Sequence, residues 1–504
     1  MFDVAVVGCG PTGVVLAALL GQAGLSVHAS DRLAGVHEIP RAIALDHEVM
    51  RLFQQIGVAE AVLPFTEPFT DSTWYGAQGQ LIRRMTMLPP PHPQGWTPSL
   101  VFTQPAVERV LRGRLAALPG VTLALGTETV AIAQDAESVS LRQRGPDGGE
   151  SPVRARWVVA CDGGSSSLRG SVGIDLEDLD FDEPWLVVDV QVNERGLARL
   201  PATSVQYCEP DRPCTMVIGP GNHRRWEISL KPGEDPAQAA TPEGTWALLA
   251  RWIAPDEGTL WRQASYRFHA LVAERWRAGR VFVAGDAAHM QPPFLGQGMC
   301  QGLRDAANLA WKLADVARGR VQGAAAEALL DSYGAERKAH VRALTTRLKG
   351  IGAIICERDP QRARERDARL LAECGGVVTG TPRQDVLPRL ESGLLAAADT
   401  PGRGTLFPQP RLVDGALMDG RCGHGWRLVL DAAWPGTVPE PAGLVTLALG
   451  DPAQAERDGV VAAWMQRHGC RAAVIRPDHY VYGTALDAAG LDAVLAQRST
   501  ALGH

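Results

Sequence analysis

The apolar positions of this chain begin as an unbroken run. Phe2 is followed after one polar residue by Val4-Ala5-Val6-Val7, a short stretch rich in β-branched residues that predicts a buried strand. It leads into Gly8-Cys9-Gly10-Pro11-Thr12-Gly13, a helix-forming run through Leu20, and a second apolar stretch at 26–30. Strand, glycine turn, helix and strand in this order favour a parallel sheet. Helical spacing of apolar residues returns over 42–57 and 105–118, while Pro89-Pro90-Pro91-His92-Pro93 between them is irregular or extended. Short β-rich segments fill 120–160, with a turn at 145–149 and a buried strand at 157–160. From 176 to 272 the rhythm changes to strands of mixed polarity (185–192, 204–208, 214–218 and 225–230), which predict an antiparallel sheet inserted into the first domain. A buried strand returns at 280–284. A helix follows over 299–318, with Ala306, Leu309, Ala310, Leu313 and Ala317 along one face. Arg-rich helical sequence continues to about 373, and a loop-rich stretch at 399–410 precedes a final α/β unit.

A chain of 504 residues is too long for one core and predicts roughly two to three domains. The expected division is a discontinuous α/β domain (1–175 and 273–370), an inserted β-sheet domain (176–272), a linker (371–399) and a C-terminal domain (400–504). The net charge of −6 provides no basic field for nucleic acid or an anionic membrane. No apolar run reaches the length of about 18 residues that a spanning helix needs. No basic and apolar leader pattern precedes the first strand, so the chain is expected to begin at Met1. Nine cysteines at scattered spacings, with no Cys-x-x-Cys, argue against a disulfide framework, a structural zinc site and a redox pair. Reduced thiols in the cytoplasm, and no metal site, are the expectation.

Gly8-x-Gly10-x-x-Gly13 stands after a strand and opens a helix, where glycines permit a tight turn and close approach to a pyrophosphate. The helix N-terminus there supplies free N–H groups and positive dipole. Asp31, followed by Arg32, ends the second strand, 18 residues beyond Gly13, where a carboxylate can accept from an adenosine ribose. Two more motifs follow strands: Cys161-Asp162-Gly163-Gly164-Ser165-Ser166-Ser167-Leu168-Arg169, and Gly285-Asp286-Ala287-Ala288-His289 with Pro292-Pro293 and Gly296-Gln297-Gly298-Met299 beyond it. A carboxylate at a strand end suits a flavin ribityl chain, and backbone N–H groups of the last turn suit a negative flavin edge.

Together these three fingerprints resemble the class A flavoprotein aromatic hydroxylases, the p-hydroxybenzoate hydroxylase-like group, over roughly residues 2–370. Tyr207-Cys208-Glu209-Pro210-Asp211-Arg212-Pro213 and the stretches 219–227 and 296–313 are similar to the 3-(3-hydroxyphenyl)propionate hydroxylase subgroup. The tail around Arg476-Pro477-Asp478-His479-Tyr480-Val481 resembles the thioredoxin-like C-terminal domain of larger members, without its cysteine pair. The resemblance implies a Rossmann-like α/β domain binding FAD non-covalently, an inserted substrate-binding antiparallel sheet, a helical segment and a thioredoxin-like domain. NADPH or NADH is the implied transient donor and dioxygen the co-substrate, with a phenol hydroxylated ortho to its hydroxyl through a flavin C4a-hydroperoxide; the subgroup resemblance implies a 3-hydroxyphenylpropionate-type acid of aromatic catabolism as that phenol. The implied cofactor contacts are Gly8, Gly10, Pro11, Thr12, Gly13, Asp31, Arg32, Arg41, Gln104, Asp162, Gly163, Arg169, Gly285, Asp286, Pro293, Gly296, Gly298 and Met299. Asp31 stands where Glu is commoner, Gly164 replaces Ala or Cys, and Cys300 replaces an Asn. A polyketide- or antibiotic-tailoring hydroxylase is the alternative on the same scaffold, and a flavin-loaded binding protein the alternative outside catalysis.

A phenol reacts faster once ionised, so a base is expected near the ring. His37, Tyr207, His223 and Tyr266 are the candidates, and His289 is expected to be structural. Trp185, Met216, Trp226, Pro292, Pro293 and Phe294 are expected to line the pocket, with the Pro293 carbonyl available to a ligand. Arg224 and Arg225 fit either a substrate carboxylate or a charge pair with Glu227. The expected partner is a small phenol, and a homodimer is left open.

Overall fold

The computed structural model describes residues 1–435 and 437–503. Its first sheet carries five parallel strands, Val281–Val283, Glu150–Ala160, Phe2–Val7, Val27–Asp31 and Val121–Leu125 in that spatial order. Val4 to Val7 are buried from both faces, as a continuous apolar run in a parallel sheet requires. The helices Pro11–Gln22 and Gly298–Ala317 pack on the sheet through Val14, Leu16, Leu303 and Leu309 in one apolar core. A hairpin, Glu128–Gln134 with Val139–Arg144, hangs from the long strand Glu150–Ala160.

The second sheet differs from expectation in its reach. Strands Leu176–Val192, Ser204–Tyr207, Cys214–Ile218, His223–Ser229 and Gly258–Ala273 fall within the predicted insert, but Ser72–Tyr75, Leu81–Thr86 and Gly380–Pro382 extend the same sheet. The segment 371–399 is therefore no free linker: Gly380–Pro382 pairs with residues 84–86, and Leu390 and Ala396 are buried. The helix expected over 42–57 is also shorter, because Ala44–Asp46 is a strand and the helix is His47–Gln55. Asp46 sets that boundary by accepting from Val49 N at 3.1 Å as an N-cap.

The C-terminal sheet runs Val445–Ala448, Arg427–Leu430, Ala472–Ile475, Val481–Ala485, with the first pair parallel and the others antiparallel. That is the thioredoxin strand order. Among the described residues no helix joins the parallel pair, where a thioredoxin presents its cysteines, and Cys422 and Cys470 are buried and unpaired. The domain is bound to the rest of the chain by buried charge. Glu336, on the helix Gly323–Ile355, accepts from Lys312 at 2.8 Å, Asn308 at 2.6 Å and Arg476 at 2.6 Å, and Asp478 accepts from the same Arg476 and Asn308. Asp419 accepts from Arg51 at 2.6 Å and also from Arg427. Burial alone would raise Glu336, but Arg476 and Lys312 hold it down to about 2.

Removing one member of such a group strands the others as buried charges. Glu336→Ala should therefore destabilise the protein by about 3–5 kcal/mol in chemical unfolding, while Arg144→Ala, on an exposed surface pair, should change it by less than about 1 kcal/mol. A Glu336→Ala protein that unfolds at the wild-type midpoint would show that this network does not hold the domains together.

Candidate active site

The carboxyl ends of Phe2–Val7, Glu150–Ala160 and Val281–Val283 bring the three sequence motifs to one crevice, the place where open parallel sheets bind ligands. Gly8 has φ +103°, and a Cβ on it would lie 2.2 Å from the Cys161 carbonyl oxygen, so the first loop can cross the second motif only as glycine. A Cβ on Gly13 would lie 1.9 Å from the Gly8 carbonyl oxygen. Thr12 lies beneath the third motif, its Oγ1 2.8 Å from where a Gly285 Cβ would stand. Gly10, Gly163 and Gly298 face open space instead. Gly298 begins the helix Gly298–Ala317, and the turn before it is left-handed at Leu295 (φ 69°) and Gly296 (φ 61°). A non-glycine residue held there is a local strain of about 1 kcal/mol or more.

Polar groups around the crevice have free capacity. Asp31 accepts from Cys9 N at 2.7 Å and Leu33 N at 2.8 Å, which aims it at the loop. Arg112 donates to the Cys9 carbonyl at 3.0 Å and lies 3.8 Å from Asp31, but its Nε and Nη1 are buried with no partner among the described residues. Asp162 Oδ1 is buried and unpartnered as well. Asp286 is open to the crevice, yet enclosed by enough protein that burial raises its carboxyl above the usual range, with His289 and Arg41 pulling it down. Unpartnered donors beside a glycine loop and an open, enclosed carboxylate fit FAD, whose pyrophosphate needs donors and whose ribityl chain needs an acceptor.

Other expected contacts hold the crevice's walls. Gln104 Oε1 accepts from the backbone N–H groups of Arg41 (2.6 Å) and Ala42 (2.5 Å) and so fixes that segment, leaving the Arg41 side chain exposed. Arg169 donates to the carbonyls of Ala287 (3.0 Å) and Gly164 (3.1 Å), stapling the second motif to the third. The Pro293 carbonyl is taken by Gly296 N at 2.7 Å, inside the turn. Arg32 is exposed and Met299 half-buried. Arg112 escaped the sequence reading because an arginine at helical spacing carries no motif.

The facing wall is one side of the second sheet, and its register corrects several assignments. Met216 pairs with Trp226, and both are buried on the opposite side with Leu186, Val188 and Ile228, away from the crevice. Tyr207 belongs to that far side too, its ring 5.6 Å from Trp252 and beneath Arg251. Trp185 lies on the near side, 6.0 Å from Phe294 and 5.7 Å from Phe268. His223 is fixed by Asp189 at 2.7 Å. Tyr266 is exposed under Arg262, and His37 is exposed on the loop after Asp31. Arg225 pairs with Asp189 (2.7 Å) and not with Glu227, and donates to the carbonyls of Arg41 and Pro40. Arg224 turns to the carbonyls of Gly221 and His223. Buried Asp189 would rise, but Arg225 and His223 hold it at about 2. His289 is buried, stacked on Trp276 and 2.9 Å from Asp305, inside the core and away from the crevice's open side.

Asp419, His424 and His479 form a cluster with metal-ligand chemistry. Arg51 and Arg427 both donate to Asp419, so a cation there would face two guanidinium groups. A cavity of about 560 Å³ lies at the seam with the C-terminal domain, between Trp311, Trp426 and Arg498, well along the helix from Gly298.

Residues 1–348 match the family model described as FAD binding domain. The chain is 37% identical to "Probable NADH-specific resorcinol 4-hydroxylase" of Rhodococcus jostii (strain RHA1), over 97% of this chain and 93% of that protein. It is 34% identical to "3-(3-hydroxy-phenyl)propionate/3-hydroxycinnamic acid hydroxylase 2" of Burkholderia vietnamiensis (strain G4 / LMG 22486), over 98% and 95% of the two chains. Among solved structures, the flavin-dependent monooxygenase PieE in complex with FAD and substrate aligns with TM-score 0.80 at 20% identity, over 100% of this chain and 99% of that one, which shows the shared fold. The p-nitrophenol 4-monooxygenase PnpA from Pseudomonas putida DLL-E4 aligns with TM-score 0.66 at 25% identity, over 73% and 92%.

Asp286→Ala removes an acceptor without disturbing a core contact, so the purified variant should fold normally by circular dichroism and lose flavin affinity about tenfold or more. Full flavin occupancy in that variant under dilution would remove Asp286 from the cofactor site.

Proposed function

This chain belongs to the family of FAD-dependent aromatic hydroxylases, and on that premise we propose that its substrate is a small, uncharged phenol of the resorcinol type, hydroxylated ortho to an existing hydroxyl. The protein is a flavoprotein monooxygenase that consumes a nicotinamide donor and dioxygen. The observation that carries the substrate reading is the state of the arginines on the near side of the second sheet. Arg225 is committed to Asp189 and the carbonyls of Pro40 and Arg41, and Arg262 to the Pro40 carbonyl. Arg225 is not free to grip a substrate carboxylate, and Arg262 is turned to the Pro40 carbonyl with Asp189 3.7 Å away, so a phenol with an acid side chain gains little here over one without. The resorcinol hydroxylase relative supports the same direction, and position 4 of resorcinol is ortho to one of its hydroxyls. The hydroxyphenylpropionate relatives, at 32% to 40% identity, are the ground for the second reading, an acid-bearing phenol held by the exposed Arg41.

In this reading the loop Gly8 to Gly13, the dipole of the helix Pro11–Gln22 and the free donors of Arg112 hold the pyrophosphate. Asp31 would take the ribose and Asp286 the ribityl chain, and the backbone N–H groups after Gly296 would serve the negative edge of the flavin. Bound FAD supplies the redox chemistry, accepting hydride from the nicotinamide and passing one oxygen atom of dioxygen to the ring. Trp185, Phe268 and Phe294 give the ring an apolar wall and exclude water, which limits loss of the activated oxygen as peroxide. The first relative's name supports NADH as the donor. Nine unpaired cysteines support a reducing, cytoplasmic setting.

Substrate binding should also promote reduction, since binding energy can favour the reducible arrangement. The purified protein should oxidise NADH slowly alone and about tenfold or more faster with resorcinol, with hydroxylated product matching NADH consumed. 3-(3-Hydroxyphenyl)propionate should stimulate less. Stimulation by the acid alone would establish the second reading, and acceleration by large polycyclic phenols alone would indicate the tailoring reaction. If no phenol stimulates oxidation, the hydroxylase reading fails.

A further inference from the structure

We infer that Glu227 is the group that takes the hydroxyl proton of the phenol, an inference that rests on the hydroxylase reading above. Glu227 sits on His223–Ser229, in the middle of the second sheet, directly opposite Val187 on one neighbouring strand and Thr215 on the other. Directly opposed residues share a face. The row continues from Thr215 to Gln206 and Trp74, so Glu227 shares the near side with Trp74 and Trp185 while its neighbour Trp226 is buried on the far side.

The residues two places away along the strand show what that side faces. Arg225 reaches the carbonyls of Pro40 and Arg41, and Val217 beside it packs on Ile43 and Ala44. In the other direction, the row of Ser229 and Trp185 leads to Phe294. Gly296 meets Ala44 from across the crevice, 3.2 Å from where its Cβ would be. Glu227 is thus bracketed by the two segments, 40–44 and 292–296, that frame the place expected for the flavin ring.

Glu227 is only 9% exposed, and its carboxylate makes no hydrogen bond or ion pair among the described residues. The neighbours that could have satisfied it are committed elsewhere. Thr215 donates to Gln206 Oε1 at 2.7 Å, Gln206 donates to the Cys214 carbonyl at 3.0 Å, and Arg225 donates to Asp189. A buried carboxylate without donors is costly unless a ligand brings one. A phenol O–H is such a donor, arriving where the aromatic wall places the ring. The O–H bond breaks, its proton passes to a carboxylate oxygen of Glu227, and the electron pair stays on the phenolate, which directs oxygen to the ortho carbon. Glu227 returns its proton to the phenol's own oxygen, a ketone oxygen after attack, as the hydroxylated ring releases a ring proton to solvent and regains aromaticity.

The other candidates lack this combination. Tyr207 is on the far side, His223 is fixed by Asp189, Tyr266 is 42% exposed, and His37 lies on an exposed loop. The charges that face Glu227 are Arg225 and Arg262, which favour its ionised form, and Asp189, which opposes it. Burial outweighs them and pushes its carboxyl up to about 7. The base must be ionised to act, so turnover should rise as pH increases through about 7.

Glu227→Gln keeps the shape and removes the base. With resorcinol and NADH, product formation by the holoenzyme at pH 7.5 (roughly, above the carboxyl's range) should fall about 10²-fold, and the rise with pH near neutrality should disappear. Glu227→Asp should recover part of both, and flavin content should be unchanged in both variants. A phenol already ionised in solution, such as a polyfluorinated one, should lose far less than resorcinol. A second readout is independent of turnover: resorcinol should bind wild type more tightly as Glu227 ionises through about pH 7 and gains an acceptor for the phenol O–H, and its binding to Glu227→Gln should not change with pH there. Wild-type turnover with an unchanged rate and pH profile in Glu227→Gln would overturn the assignment. Absence of phenol-dependent turnover and of phenol binding in the wild type would instead overturn the hydroxylase reading, and this inference with it.

Discussion

Asp305 has no exposure to solvent, yet donors reach it from three elements: the backbone N–H of Gly285 at 2.9 Å, His289 Nε2 at 2.9 Å and Arg337 Nε at 2.8 Å. Burial alone would raise its carboxyl, but His289 and Arg337 hold it below the ordinary carboxylate range. It therefore stays an anion in the core and constrains everything it touches. Gly285 is the residue before Asp286, so the height of the third motif over the crevice is set by a charge on a helix behind it. The same helix, Gly298–Ala317, offers its N-terminus to the crevice from the turn at Leu295 and Gly296. One buried carboxylate thus fixes two cofactor-facing segments relative to each other.

The helix carries that constraint further. One residue before Asp305, Arg304 donates to Asp46 and Glu48 at 2.5 Å each, which anchors the segment leading from residues 40–44. One turn and two turns on, Asn308 and Lys312 meet Glu336, and through it Arg476 of the C-terminal domain. The C-terminal domain looks separable by its strand order and by its lack of a redox pair. Its arginine nevertheless completes a charge network in the core of the FAD-binding domain. Paired buried charges are modest contributors to stability but severe penalties when broken, so such a domain acts as a structural clamp on the helix it meets.

Much of this was legible in the sequence. The three motifs could be read because each is local: a strand, a glycine where backbone crosses backbone, and a carboxylate at a strand end. Gly8 against Cys161 is a steric necessity that leaves a signature in one residue type. The sheet's extent was not legible, because Ser72–Tyr75 and Gly380–Pro382 are short strands whose partners lie far away in sequence. Nor was its polarity. Alternation along 214–218 and 225–230 divides residues between two faces but does not say which face meets the cofactor, and a choice of face moves every side chain at once. Met216 and Trp226 were placed wrongly for that reason. Glu227 was hidden by the arginines beside it in sequence, since Arg225 reaches across to Asp189 on the next strand, a contact that only the register reveals.

The two acids of this sheet face show how one surface can be both a joint and a reactive site. Asp189 and Glu227 point the same way on adjacent strands, both buried, and differ in their partners. Asp189 collects Arg225, Arg262 and His223 and is held at about 2, while Glu227 collects none and rises to about 7. An acid held at about 2 is far too weak a base to take a phenol's proton, but as a permanent anion it is well suited to fixing arginines that span to Pro40 and Arg41. An acid near 7 is poorly suited to such a joint and close to the optimum for proton transfer at neutral pH. Giving every local donor to one carboxylate is what leaves the other free. The same allocation removes the arginines from reach of a substrate acid group, so the basicity of Glu227 and the preference for an uncharged phenol follow from one arrangement of charges.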